Sequence, residues 1–307
     1  KLADFATVSL SGGMSTPGYG SIDKKISERQ RETIQQWDAS TSLDLGQFVP
    51  DVINLKVPMY LGMSEIHTKP QYAPLDPDIL MKDYINQYED ETVKKEAANA
   101  AKNLTVRRSI NFTNVRKEKG PGKSKSHFYD VENLSGTYAY SEIYMRDINV
   151  NRDFTKTYKG GLSYNFNPAP KNYAPLSKVT LLGKSKYFAL AKDFNFYLLP
   201  KQLSFRTDIN RLYNERVMRN NYPEFVAEMD TFINKNFFWI RAYDLKFDLT
   251  KALKFDFQAT NNSLIGEPDG RVDKKGEDEN FSDWQDSVKN SIIEFGKTTD
   301  YRHSANL

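Results

Sequence analysis

Residues 237–260 read FFWIRAYDLKFDLTKALKFDFQAT. Apolar and polar residues alternate on both sides of Thr250-Lys-Ala252, and Arg241 is the one charge in the otherwise apolar set. Successive side chains of a β-strand point to opposite faces, so a period of two indicates a strand with one apolar and one polar face. The stretch therefore predicts an antiparallel hairpin whose two faces differ in polarity.

The same period of two recurs along most of the chain, at 5–14, 37–45, 53–64, 103–113, 134–144, 158–166 and 203–210. These runs approach the ~9–11 residues of a tilted membrane strand, whereas the mean globular strand has about 5–6. Pro58 lacks a backbone donor, which predicts a weak ladder position or a bulge there. About nine long strands, joined alternately by short turns and long excursions, are typical of a membrane barrel. We predict an all-β dominated fold, the wall segment of an antiparallel transmembrane β-barrel with helical loop inserts.

Helical signals fall between these strands. Asp76-Pro77-Asp78 resembles a helix start, Ser282 with Gln285 resembles a capping box, and Gly296 follows as a helix stop. Further helices are predicted at 21–32, 91–102 and 222–233. The predicted division is barrel strands with a short helical loop at 1–69, a helical insert at 70–102, barrel strands with loops at 103–261, an acidic loop and amphipathic helix at 262–300, and the start of another strand at 301–307.

Composition excludes several classes of protein. The 307 residues contain no cysteine, carry a formal net charge of +3 and are 39% hydrophobic. Disulfide frameworks, thiolate zinc sites and thiol nucleophiles are excluded, and no window approaches the ~20 apolar residues of a spanning helix. The charge is too small to indicate nucleic acid. His67, His127 and His303 lie far apart and no catalytic or phosphate-binding motif is present, so we expect no enzyme and no cofactor.

The two strand faces suggest different surroundings. A charge on the lipid face of a barrel costs about 2–4 kcal/mol at the midplane, so charged strand residues are predicted to line a wet lumen. The predicted lumen-facing residues are Asp38, Asp44, Lys56, Arg107, Arg206, Asp208, Lys246, Asp248, Lys254 and Asp256. The predicted lipid-facing residues are Val8, Leu10, Leu43, Leu45, Leu55, Val57, Met59, Leu61, Phe255 and Phe257. Mixed charges suit a large solute better than one selected ion, and Arg108 and Arg241 are expected near strand ends or snorkelling.

Two alternatives remain open at this point. The chain could instead be a soluble, surface-exposed β-sandwich binding module or adhesin, whose apolar face would be buried against a second sheet. The helix stripe Trp284, Val288, Ile292 and Phe295 could dock on a partner, lie at a membrane interface or pack against its own barrel. In the predicted barrel, the excursions 70–102 and 262–300 would form caps or partner surfaces. The acidic loop Asp269–Glu279 departs from the EF-hand pattern.

Several long stretches resemble one known family. They are Ala3–Gly18, Glu28–Thr33, Val57–Gly62, Pro70–Asp78, Asn103–Arg116, Leu162–Asn167, Lys192–Tyr197 and Leu203–Asp208. They are similar to the SprA/Sov family of gliding, secreting bacteria. The resemblance implies an outer-membrane localisation and a role as the type IX secretion translocon, a single very large β-barrel that exports folded cargo.

The resemblance also implies partners and a larger parent. The partners are secreted cargo proteins, a shuttle-type outer-membrane protein, a periplasmic plug, outer-membrane lipid and the rest of the same barrel, with no nucleic acid. Members of the family are several times longer than this chain, so we expect an internal section of the barrel wall. The family has no catalytic residues to carry over.

Overall fold

The computed structural model of the chain describes residues 6–17, 31–120, 126–177, 193–221, 229–272 and 280–307. Most of these residues are in strands, which confirms the predicted all-β dominated, antiparallel class. In these ranges, no helix combines the length and the apolar character needed to cross a membrane.

One antiparallel sheet organises the described chain. Its strands are β1 Ala6–Ser15, β2 Glu32–Asp44, β3 Leu55–Lys56, β4 Pro58–Pro70, β5 Asn103–Lys117, β6 Leu134–Arg146, β7 Val150–Phe166, β10 Gln202–Met218, β11 Thr231–Asp248, β12 Lys254–Leu264 and β13 Lys297–Asn306. The order is β1-β2-β4-β5-β6-β7-β10-β11-β12-β13, with β3 attached to β5, so neighbours in the sheet follow the chain. β8 Asn172–Tyr173 and β9 Phe196–Tyr197 form a separate two-stranded ribbon.

In the part of the chain that the structure describes, three α-helices lie in the excursions between strands, namely α1 Met81–Asn86, α2 Glu91–Ala101 and α3 Asn280–Ile293. Short 3-10 segments occur at Leu45–Phe48, Asp51–Ile53 and Val131–Asn133. α2 begins after Asp90, whose side chain accepts a hydrogen bond from the Thr92 amide at 2.7 Å. An aspartate in this position satisfies one of the free amides of the first turn.

The predicted helix start at Asp76-Pro77-Asp78 is wrong. These residues form a turn in which the Ile79 amide donates to the Asp76 carbonyl at 3.1 Å. The turn closes a β-bridge between Tyr72 and Leu80, and α1 begins only at Met81. Tertiary pairing therefore overrides a favourable local capping sequence.

Other helix boundaries also differ from the sequence prediction. Ser282 lies inside α3 rather than at its N-cap, so the predicted capping box does not form. Residues 231–233 belong to β11, so the predicted helix 222–233 is wrong at its end, and its residues 222–228 lie outside the described ranges. The predicted helix 21–32 falls almost wholly outside them as well, and β2 already begins at Glu32.

Two irregularities interrupt the strands. The strand predicted over 53–64 is divided at Val57, and Pro58 becomes the first residue of β4, as its missing donor predicts. In β5 the register shifts between Phe112 and Val115, where Asn114 has a left-handed φ of 54°. Such a β-bulge inserts one extra residue and restores pairing beyond it.

The sheet is a single layer over most of its area. Within the described ranges, the only other sheet is the β8–β9 ribbon, and Leu10 and Leu162 expose 78% and 47% of their surface.

Long connections leave both ends of the sheet. The end with the tight β6–β7 turn also carries 71–102 and 265–296, and the end with the β11–β12 turn carries 167–201. The predicted alternation of short turns with long excursions, which would put all the short turns at one end of the sheet, is therefore not found.

Candidate functional site: the two faces of the sheet

The register of the sheet determines which residues share a face, because directly paired residues in adjacent strands point to the same side. One continuous row of partners crosses eight strands through Val8, Thr41, Leu61, Ile110, Tyr140, Tyr158, Arg211 and Phe237. We call its side the banded face. The adjacent row points to the other side, the polar face, and contains Ser9, Ser40, Gly62, Ser109, Ser141, Thr157, Leu212 and Asn236.

The predicted lumen-facing residues share one side of this sheet. The register puts all ten of them on the polar face, including Lys56, which pairs with Arg116 beyond the β5 bulge. The predicted lipid-facing residues lie on the banded face, with two exceptions. Leu45 opens a 3-10 segment and Val57 lies between β3 and β4, so neither is on a strand. What each face contacts in the cell stays a prediction.

A line of charged residues divides the banded face. On six strands, followed from the end with the β11–β12 turn, apolar and aromatic side chains (with Thr207 and glycines among them, and Lys117 at the very end of β5) continue up to a charged residue. We call these six residues the charge boundary, and they are Glu65, Arg108, Glu142, Lys156, Arg211 and Arg241. Some of them pair with each other or with neighbours, since Arg108 and Glu142 approach to 3.7 Å and the Trp37 indole donates to Glu65 at 3.0 Å.

The charge boundary runs diagonally across the hydrogen-bonded rows. Arg108 on β5 lies two residues from the partner of Glu65 on β4, and Glu142 and Lys156 lie in the same paired row as Arg108. Arg211 lies two residues from the partner of Lys156, and Arg241 lies four residues from the partner of Arg211, with every shift in the same direction along the sheet. At ~3.3 Å per residue and ~4.8 Å per strand, that is about 26 Å along the strands for about 24 Å across them, an angle of roughly 45°. Strands of membrane barrels tilt by about 35–45° from the barrel axis.

The polar face carries charges on the same strand segments whose opposite side forms the apolar part of the banded face. Lys246 is paired with Asp256 and Asp248 with Lys254, in the hairpin whose other face is Leu245, Phe247, Phe255 and Phe257. Asp208 receives two hydrogen bonds from Arg206, at 2.6 and 3.2 Å. Gly161 makes room beside Asp208, because a Cβ there would lie 2.7 Å from its carboxylate. This face carries polar and charged side chains along most of the strands, with apolar exceptions such as Phe238 and Ile240 on β11.

α3 packs against the banded face through a buried ion pair. Arg211 on β10 donates to Glu267 at 2.8 Å, and the Trp284 indole of α3 donates to the same carboxylate oxygen. The Arg211 guanidinium also lies 5.0 Å from the centre of the Trp284 ring. Phe281, Trp284 and Val288 close one side of a cavity of about 740 Å³ against Tyr138, Tyr158, Ile209 and Phe237.

Arg241 holds the C-terminal end of α3. Its guanidinium donates to Asn261 at 2.9 Å, to Ser263 at 2.8 Å and to the Phe295 carbonyl at 3.0 Å. It also lies 4.6 Å from the centre of the Trp239 ring. Arg241 is 7% exposed and lies in the interior of β11, so the expectation that it sits near a strand end or snorkels is wrong. Arg108 likewise lies inside β5 rather than at its end.

The histidines do not converge. His67 contacts Glu65 at 3.0 Å, His127 contacts Asp130 at 3.7 Å, and His303 lies beside Tyr301 on β13. In the described ranges, no group of three or more histidine and carboxylate side chains is arranged to hold a metal ion.

Tyr84 and Glu118, both outside the strands, have shifted pKa values. In α1, a hydrogen bond shared with Tyr88, together with burial, raises the pKa of Tyr84 to about 12. In the loop after β5, hydrogen bonds from Lys56 and Arg116 lower the pKa of Glu118. The phenol of Tyr84 therefore stays neutral and the carboxyl of Glu118 stays ionised at neutral pH.

Sequence reasoning missed the charge boundary as a continuous feature. Arg108 and Arg241 attracted notice only as exceptions within apolar runs. Nothing local indicates that Glu65, Glu142, Lys156 and Arg211 belong with them, because their alignment depends on the pairing register. Glu267 precedes α3 in a loop, and no sequence signal links it to Arg211 on a distant strand.

The comparison with known families agrees with the N-terminal strands. A family model, SprA_N, described as a motility related/secretion protein, matches residues 1–85. Over these residues the chain is similar to the SprA family. The matched part includes β1 to β4 and most of α1. No curated protein matches the chain. The recognition of the family from the sequence is thus confirmed, and the family description gives a role in motility or secretion.

Proposed function

We propose that the chain is a wall section of an outer-membrane β-barrel that conducts folded proteins out of the cell in type IX secretion and gliding motility. The observation that carries the proposal is the diagonal charge boundary. In a barrel the membrane plane is perpendicular to the barrel axis, so the edge of a lipid-facing band must cross tilted strands obliquely. An angle of roughly 45° is what tilted membrane strands require.

The polar face supports an aqueous interior. Lys246 and Asp256 lie behind the most apolar hairpin of the sheet, where burial against a protein core would cost several kcal/mol per unpaired charge. Water on that side removes this cost. The polar face mixes Arg206, Asp208, Lys246 and Asp256, so it favours no single ion and is suited to a large, chemically varied solute such as a protein surface.

The sandwich alternative needs a second sheet over the banded face. Its apolar residues would then be buried, as in the inner faces of two sheets packed ~10 Å apart. In the described part of the chain, Leu10, Leu162 and Tyr243 remain 78%, 47% and 41% exposed. Such a surface is unfavourable in water and favourable in lipid. The observations therefore favour the barrel wall.

The family description supports the biological context, and the finer points are proposals. We propose that the protein resides in the outer membrane and acts by passage rather than by catalysis. We propose secreted cargo, a shuttle-type outer-membrane protein and a periplasmic plug as partners, together with lipid and the rest of the barrel. The excursion with α1 and α2 would provide a partner surface.

The proposal is tested first by membrane extraction of the full-length protein. We expect it to stay with outer-membrane pellets through carbonate and high salt and to dissolve only in detergent. Release by carbonate or salt would overturn the barrel and favour a surface-bound module.

A second experiment tests the transport role. We expect depletion of the full-length protein to retain secreted proteins, folded, in the periplasm. Normal secretion after depletion, with the protein shown to be integral, would leave the barrel in place and refute the export role.

A further inference from the structure

α3 follows the charge boundary. Its first part contacts Arg211 through Trp284, and the residues after its last turn contact Arg241 through Phe295. These two arginines are consecutive members of the boundary on β10 and β11. The helix therefore spans the part of the charge boundary between Arg211 and Arg241.

Several contacts fix α3 in this orientation. Glu267 joins Arg211 to Trp284, and both charged side chains are largely buried, with 15% and 5% exposure. Gly266 donates to the Ser291 hydroxyl at 3.1 Å and its carbonyl accepts from Ser287 at 3.3 Å. The Trp239 and Phe295 rings stack at 6.1 Å. The helix is thus held at both ends and along its length.

One side of α3 is left apolar and uncovered. Ile292, Ile293 and Phe295 expose 38%, 65% and 61% of their surface near the end of the helix. Asp283, by contrast, lies nine residues before Ile292, which at 100° per residue puts the two side chains on opposite sides of the helix. The apolar cluster is continuous with the banded face through the contact between Phe295 and Trp239.

We propose that α3 is an interfacial helix that lies in the membrane surface outside the barrel wall, with Ile292, Ile293 and Phe295 in contact with lipid acyl chains. This inference rests on the proposed function, because the banded face must meet lipid. Amphipathic helices that lie in the plane of a membrane insert their apolar side at the boundary between headgroups and acyl chains. The aromatic side chains Trp239, Trp284 and Phe295 are of the type enriched at that depth.

A bilayer fits this surface better than a protein partner does. The helix follows the boundary from Arg211 on β10 to Arg241 on β11, which is part of the line where a membrane surface would meet a tilted wall. A docked protein would have no reason to respect that line. The exposed patch is also aliphatic and aromatic, and its nearest charges, Lys289, Glu294 and Lys297, have mixed signs.

The test uses site-directed spin labels on the full-length protein, freed of other reactive cysteines and reconstituted in phosphatidylethanolamine–phosphatidylglycerol vesicles. Single labels are introduced by Ile292→Cys, Ile293→Cys and Asp283→Cys. A reference label at Phe257→Cys reports on the apolar band. The accessibility of each label to oxygen, which concentrates in lipid, is compared with its accessibility to a water-soluble nickel chelate.

We expect the oxygen-to-nickel ratio to be several-fold higher for the labels at 292 and 293 than for the label at 283. Equal ratios at 292 and 283, with a lipid-exposed label at 257, would overturn the interfacial helix and leave the barrel intact. A label at 257 that the chelate reaches freely would overturn the proposed function itself. Protection of the label at 292 from both reagents would indicate a protein partner and would also refute the proposal.

Discussion

Replacing Arg241 with methionine should release the C-terminal end of α3 from the sheet. Methionine fills similar space and remains apolar, so the change removes the guanidinium without opening a large cavity. In the native sheet this group donates to the Phe295 carbonyl at 3.0 Å and lies 5.3 Å from the centre of the Phe295 ring. Both contacts disappear in the variant, whereas the strand pairing of β11 with β12 stays.

The size of the effect follows from those two contacts. A hydrogen bond from a charged donor contributes about 1.5–3 kcal/mol. A cation–π contact contributes about 0.5–1 kcal/mol at an exposed site, and the lower end applies because Phe295 is 61% exposed. Together they give about 2–3.5 kcal/mol for local opening of the helix end. That corresponds to a roughly 30- to 300-fold larger population of the open form.

Amide hydrogen exchange of the full-length protein in lipid measures this opening directly. The amides of Glu294 and Gly296 donate to the Asn290 and Ser291 carbonyls at 3.0 and 2.7 Å, so they exchange only when the helix end opens. We expect faster exchange in the peptide covering 290–296 and no change in the hairpin 245–257. Arg206→Met is the matched control, because Arg206 is an exposed arginine on the polar face, paired with Asp208. Surface pairs of this kind contribute at most about 1 kcal/mol.

The reasoning fails if Arg241→Met leaves the exchange of 290–296 within a few-fold of the native rate. It also fails if Arg206→Met accelerates that peptide equally, since the effect would then be a general loss of sheet stability.

Three further expectations concern other parts of the chain. Phe257→Arg should reduce assembly into the outer membrane, at a cost of about 2–4 kcal/mol if the position is near the midplane. Gln258→Arg, on the polar face, should assemble normally. Equal yields of the two variants in a membrane-fraction immunoblot would contradict the assignment of the faces. Asp90→Ala should destabilise α2, seen as faster amide hydrogen exchange in 91–101, whereas Asp78→Ala in the preceding turn should leave α2 unchanged. Because the folded-state pKa of Glu118 is lowered, the ionised carboxylate stabilises the β3 edge at neutral pH, and this stabilisation is lost as the pH falls through the lowered pKa. Amide hydrogen exchange of residues 54–56 should therefore become faster in acid. Glu118→Gln should abolish this pH dependence.

The long strands were predictable because alternation is a local property. Phe255, Asp256 and Phe257 indicate a two-sided strand without knowledge of any neighbour. The agreement between the polar faces of different strands follows once the antiparallel order is known. The sequence also indicates the break at Pro58, because a missing donor has the same consequence in any sheet.

Features that depend on the register could not be predicted. The charge boundary exists only because Arg108 is opposite Glu142 and Arg211 lies two residues from the partner of Lys156. A change of one residue in any pairing would scatter these charges between the faces. The position of α3 has the same origin, since its anchors Arg211 and Arg241 are remote in sequence. The local capping signals at Asp76 and Ser282 gave wrong helix starts. Asp76 lies in a turn that closes a β-bridge, and Ser282 lies inside a helix that begins earlier.

The bulge at Asn114 bears on how this chain can change in length. Before it, even-numbered residues of β5 lie on the banded face, and beyond it odd-numbered residues do. A deletion of one residue from the middle of β5 would exchange the two sets of side chains over the rest of the strand. Serine and arginine side chains of the polar face would then lie on the banded face. The same deletion at the bulge removes only the residue that has no partner. A wall of this kind therefore tolerates many replacements of side chains, and it confines single-residue gains and losses to its bulges and connections.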